Sequence, residues 1–138
     1  MRTCVVVYSN AGKALAYAQE IAQNKQSEVL RIQPRIDFKG FMRYVYWGYK
    51  ASLKRSVSLK PDTIDLTDIE QLIVVAPIHA GRICAPVRSW LFTHRSYLQN
   101  VSIITTHLDK ENTYRDAVEA LEKEMMFKFT EIQSKVIE

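Results

Sequence analysis

The stretch Ser9-Asn10-Ala11-Gly12-Lys13-Ala14 joins an apolar run, Cys4–Ser9, to a segment with helical spacing. A tight turn between a strand and a helix is an arrangement that binds anions. The first N–H groups of a helix have no intrahelical partner, and the helix dipole adds positive potential at that end. Gly12 permits close approach of the backbone, Lys13 adds a point charge, and Asn10 offers an amide donor. Other phosphate codes do not fit. Gly12-Lys13 is followed by Ala14, with no second glycine upstream, which excludes a Walker loop, and no G-x-G-x-x-G occurs. Cys4 lies inside the apolar run, so no Cys and Arg bracket the turn as in a cysteine phosphatase.

A second group of chemically able residues sits in "PIHAGRICAP": Pro77, Ile78, His79, Ala80, Gly81, Arg82 and Cys84. A third follows "SIITT", with His107, Leu108 and Tyr114. His79, His107 and Cys84 have no recognisable metal-ligand spacing, and no metal is expected. A Cys84–His79 nucleophile pair would need a third group to orient the histidine, and the sequence offers none. Cys84 fits packing beneath its loop, Cys4 fits a small buried apolar residue, and His94 fits the surface at a helix end.

These loops need elements to hold them. Cys4–Ser9 and Leu72–Ala76 are continuous apolar runs, as expected of strands buried on both faces. Pro77 is expected to end the second of these, and Gly81 to allow a sharp turn. Leu15, Ala18, Ile21 and Ala22 recur at helical spacing after Gly12; Pro86 opens a helix with Val87, Trp90 and Leu91 inward. A short strand is expected over Ser27–Gln33, ending at Pro34, and a basic, aromatic-rich amphipathic helix over residues 39–55. "NVSIITTH" repeats the buried-strand pattern. The helix after it carries Tyr114, Val118, Leu121 and Met125 inward, and "FKFTEIQSKVI" alternates like a half-buried edge strand. The order β-α-β-α-β-α-β-α-β implies a parallel sheet with helices on both faces. Ligands then sit beyond the carboxyl ends of the strands, where Ser9–Ala14, Ile78–Pro86 and Thr106–Thr113 meet.

Composition sets the bounds. With 138 residues, 47% hydrophobic and 25% charged, the chain fits a single domain over residues 1–138 with one sizeable core. The first apolar run is too short for a signal peptide and no stretch is long enough to span a bilayer, so a cytoplasmic protein without a membrane partner is expected. Two cysteines make no disulfide framework. The net charge of +4 is concentrated between Lys39 and Lys60, where six cations occur with no acidic residue. These fit a solvated helix face, and the aromatics Phe41–Tyr49 fit core contacts better than base stacking, so no nucleic acid partner is expected.

Three stretches resemble the flavodoxin-like family: "VVVYSNAGKALAYAQEIA", "DIEQLIVVAPIHAGRICAPVRSWL" and "VSIITTH" with its following helix. The likeness spans nearly the whole chain, and the middle stretch is the most specific. It implies a three-layer, doubly wound α/β fold with a parallel five-stranded sheet of order 2-1-3-4-5 and flavin mononucleotide (FMN) as cofactor. The family's last helix, after the fifth strand, has no counterpart before Glu138. By this resemblance the cofactor site comprises Ser9, Asn10, Ala11, Gly12, Lys13, Ala14, Pro77, Ile78, His79, Ala80, Gly81, Arg82, His107 and Tyr114. His79 stands where the family places an aromatic against the flavin, and Tyr114 is the best stacking residue for the other ring face. Arg82 would meet a phosphate or a reduced, anionic flavin.

The family's phosphate loop reads Ser/Thr-x-Thr-Gly-x-Thr. Here Ser9 and Gly12 match, whereas Ala11 and Ala14 replace hydroxyl residues. At about 1.5–3 kcal/mol per hydrogen bond to a charged group, two lost hydroxyls weaken binding by roughly two orders of magnitude or more. FMN is therefore expected to bind weakly or not at all. Two functions follow: an FMN protein that passes electrons between a reductase and an acceptor, or a flavodoxin-fold protein that has lost tight flavin binding and serves as an interaction module. A quinone reductase would need a longer chain and a nicotinamide site. The expected partners are a redox protein, or a second copy covering the sheet face that lacks a fifth helix.

Overall fold

The structure is a computed structural model that describes residues 2–8, 12–33, 69–79, 81–107 and 114–136. The basic aromatic helix expected over residues 39–55 lies outside them, as do Ser9, Asn10, Ala11, Ala80 and Leu108. Strands β1 (Arg2–Val7), β2 (Glu28–Arg31), β3 (Ile69–His79), β5 (Val101–His107) and β6 (Glu131–Val136) form one parallel sheet in the order β2-β1-β3-β5-β6. This is the doubly wound α/β arrangement expected from the sequence, with the order 2-1-3-4-5 counted over its five parallel strands. The short β4 (Arg82–Ile83) turns back antiparallel on the end of β3.

Alternation decides which face each side chain serves. Val5, Val7, Ile73, Val75 and Ile104 pack with Ala14, Ala18 and Ala22 of α1 (Lys13–Lys25). Their neighbours Cys4, Val6, Leu72, Val74, Val101 and Ile103 face the other way, onto the layer built by α2 (Ala85–Thr93) and α3 (Arg115–Met125). The helices change face because the chain changes direction. From β1 it moves outward to β2, and from β3 it moves the opposite way to β5 and β6. Right-handed crossovers then put α1 on one side and α2 and α3 on the other.

α1 meets the sheet through three alanines, which let helix and strands approach closely. α2 makes the opposite choice: Trp90 and Leu91 are 1% and 0% exposed. Pro86 sits within its first turn, where a missing N–H costs nothing. α1 and α3 both end on a left-handed residue, Gln26 at φ 51° and Met126 at φ 53°. Their N–H groups close the last carbonyls of each helix.

Two local expectations need correcting. β3 does not end at Pro77 but continues to His79, and Pro77 still faces Thr106 in the ladder. Proline lacks a donor, not an acceptor, and its carbonyl takes the Cys84 N–H at 3.0 Å to start the hairpin. His94 is half-buried rather than on the surface. Its ring stacks on Trp90 with centroids 4.3 Å apart, and its Nδ1 lies 2.9 Å from the Trp90 carbonyl oxygen. On β5, Ser102 and Ile104 are each only 8% exposed, so the α1 side of this strand is already covered. No helix among the described residues is long and apolar enough to cross a membrane.

Replacing Leu91, fully enclosed between α2 and the sheet, with alanine is expected to cost about 2–5 kcal/mol in urea unfolding. Met126→Ala, at a side chain 85% exposed, should stay within about 0.5 kcal/mol of the parent.

Candidate functional site

The strand order reverses between β1 and β3, and both strands carry a loop at the carboxyl edge. β5 lies next to β3, so three loops follow three adjacent parallel strands, spaced by about 4.8 Å per step. In open α/β sheets such a crevice is where ligands bind.

The first loop leads into α1 through Gly12, at φ 90° and ψ −9°. An L-residue is strained in this conformation, and a Cβ built at Gly12 would meet nothing within 4 Å. The backbone is therefore open to approach from outside. The Gly12 carbonyl accepts the Ala16 N–H at 2.9 Å, the first bond of the helix. No acidic residue occupies the first turn of α1, and Lys13 is exposed at its first position. Helix dipole and lysine thus act with the same sign on the same point. Ala14 is different: its methyl is 7% exposed and packed with Val5, Val7 and Ala18 against the sheet. That position serves helix packing, and only its backbone faces the anion-binding task.

The second loop is a tight hairpin. Ile78 pairs with Ile83 and His79 with Arg82, and Gly81 turns the chain between them at φ 75°. Ile78 is half-buried against the α2–α3 core, so it anchors the hairpin and does not line its tip. Arg82 is exposed and lines a cleft with Arg88, Ala117, Ala120 and Glu124. The structure therefore brings Arg82 toward α3. Cys84 lies fully buried beneath the hairpin, and loss of water around it pushes its thiol up to about 12. A thiol held neutral in this way packs like a small apolar side chain and is no nucleophile.

The third loop brings together two of the expected residues. His107 ends β5, and its ring lies 4.9 Å from that of Tyr114, tilted by 59°. Tyr114 is not on the inward face of α3, as its spacing suggested, but caps its start at φ 57°, ψ 27°. Its carbonyl accepts the Ala117 N–H at 3.1 Å. A left-handed aromatic residue costs about 1–2 kcal/mol, and such strain collects at ligand sites. The conformation lifts the ring off the helix and sets it against His107, half-buried at the carboxyl edge.

No spacing along the chain signals the braces beneath these loops. Arg88 of α2 reaches Glu124 of α3 at 2.6 Å, with Arg88 also over the Phe92 ring at 4.7 Å. Arg95 holds the far end of α3, donating to the Met125 and Met126 carbonyls at 2.9 and 2.7 Å. Partners 30 or more residues apart leave no local pattern to read.

With this geometry in hand, solved structures give the class. A flavoprotein from Lactobacillus acidophilus, crystallised with FMN, aligns at a TM-score of 0.80 over 96% of this chain and 92% of its own, with 14% identity. The apo form of a flavoprotein from the same organism, solved by NMR, aligns at 0.70 over 99% and 92%, with 16% identity. A structure from Bacteroides eggerthii, described as a candidate flavoprotein, aligns at 0.78 over 96% and 87%, with 13% identity. No model of a known protein family matches the sequence, and no curated protein matches it. The chain has the flavodoxin-like fold.

The raised Cys84 pKa carries a stability consequence. The folded state holds this proton up to about pH 12, whereas the unfolded thiol loses it near 9.0. Its contribution is complete below pH 9 and falls as pH rises from there toward 12. In melts of the parent and Cys84→Ala, the stability difference should be constant from pH 6 to about 8 and shift against the parent above about pH 9.

Proposed function

We propose that this protein binds FMN in the crevice between β1 and β3 and serves as a cytoplasmic electron carrier between a reductase and an acceptor. The observation that carries the reading is the start of α1. It is a helix N-terminus with Gly12 in the left-handed conformation, no acidic residue in its first turn and Lys13 beside it, at the point where the strand order reverses. The FMN crystallised with the Lactobacillus acidophilus flavoprotein supports the same ligand. When bound, the flavin supplies the redox chemistry, and the protein supplies binding and orientation.

The residues present fit that group. The first N–H groups of α1 and the Lys13 ammonium would hold the phosphate, which can come close because no Cβ stands at Gly12. The turn at Gly81 would offer backbone groups to the polar edge of the ring. Tyr114, set against His107, would supply an aromatic face and exclude water from it. Arg82 lies toward α3, where it would act on a partner or on the loop and not on the phosphate. Ala14, packed into the core, gives the phosphate no hydroxyl and favours modest affinity. Loss of flavin in favour of an interaction module is the competing reading, and it rests on Ala11, Ala14 and His79.

Titration of the purified protein with FMN, followed by flavin fluorescence, tests the choice. Saturating quenching at micromolar FMN is expected. Lys13→Ala should weaken it about two- to fivefold, the effect of about 0.3–1 kcal/mol for a surface charge at a helix end. No quenching at millimolar FMN would favour the interaction module.

A further inference from the structure

We infer that two copies of this chain join their sheets through β6, paired antiparallel about a twofold axis at Gln133. Among the described residues β6 has no outer neighbour and forms one edge of the sheet. Its sequence, Glu131-Ile132-Gln133-Ser134-Lys135-Val136, is complementary to itself in one register. A twofold axis normal to the sheet at Gln133 sets Glu131 opposite Lys135 of the second copy, twice, and Gln133 opposite its own amide.

The charges also share a face, as such pairing needs. Lys135 reaches the α1 side, its Nζ lying 5.7 Å from the centre of the Tyr17 ring. The Gln133 amide donates to the Glu131 carboxylate, which places that residue on the same side. Ile132 points the other way, into the α2–α3 core. Opposite charges directly across an antiparallel pair stabilise it, and like charges oppose it. The other edge strand has no equivalent register. In β2, Glu28 and Arg31 are three residues apart and fall on opposite faces, so no twofold can match them.

Charged residues on an edge strand ordinarily prevent pairing with other chains. Here the same two charges reject most strands and accept their own copy. A cleft of about 560 Å³, lined by Arg115, Lys123, Met126, Phe127 and Ile132 among others, opens between α3 and this strand. The axis would put the clefts of both copies on one face, on either side of the seam. The joined sheet would hold two sets of five parallel strands meeting at an antiparallel seam, and leave both carboxyl-edge loop clusters outside it. The assembly does not depend on a bound ligand.

Sedimentation velocity at low salt tests this with charge reversals. The parent is expected to be a dimer at micromolar concentration. Glu131→Lys and Lys135→Glu should each raise the dissociation constant by about tenfold or more, and the double variant should return it to within a few-fold of the parent. Both residues are exposed, so circular dichroism spectra of all four folded proteins should coincide, and their melts should coincide at concentrations low enough that the parent is monomeric. A parent that is monomeric at hundreds of micromolar overturns the inference. So does a dimer indifferent to either reversal, or a double variant that stays monomeric.

Discussion

The pairing of β1 with β3 sets Cys4–Val7 opposite Leu72–Val75, eight residues that are each 0% to 3% exposed. Buried on both faces, these two strands cannot slide or separate without exposing the centre of the molecule. They are also where the chain reverses its direction across the sheet. One contact therefore fixes two things: the stability of the central layer and the crevice at its carboxyl edge. α1 must lie on one face and α2 on the other, so the start of α1 and the hairpin after β3 come to flank the same gap.

What sits at that gap divides between backbone and side chains. The left-handed Gly12, the first N–H groups of α1 and the turn at Gly81 are backbone features, and they survive changes in side-chain type. The hydroxyls expected of a phosphate loop are side-chain features, and at position 14 the structure supplies a reason for their loss. α1 approaches the sheet through Ala14, Ala18 and Ala22, so a small apolar side chain suits the packing there. Affinity for an anion would then rest on N–H groups, the helix dipole and Lys13.

The succession of strands and helices was legible because buried strands leave continuous apolar runs and helices leave a wider period, while the strand order was implied by the resemblance to the flavodoxin-like family. Cys4–Val7, Leu72–Ala76 and Val101–Thr106 were plain on that basis, as was the inward stripe of α2. Local chemistry was less legible. Pro77 read as a strand end because its missing donor is visible in the sequence, whereas the use of its carbonyl by Cys84 is not. Tyr114 falls in phase with Val118, Leu121 and Met125, and nothing in that spacing reveals that its backbone turns left-handed one residue before the helix. The place of Arg82 beside α3, set by the antiparallel β4, is likewise not visible in its loop's spacing. Ion pairs between separate helices, such as Arg88 with Glu124, exist only once the fold has brought them together.

The most direct test of the carboxyl-edge site is an amide-resolved NMR titration of isotope-labelled protein with FMN. Saturable shifts at Lys13, Ala14, Leu15, Gly81 and Tyr114, with Glu28, Glu70 and Glu131 at the opposite edge unmoved, are the expected result. Shifts that gather instead along the α3–β6 cleft, or none at millimolar FMN, would contradict the assignment of the β1–β3 crevice as the flavin site.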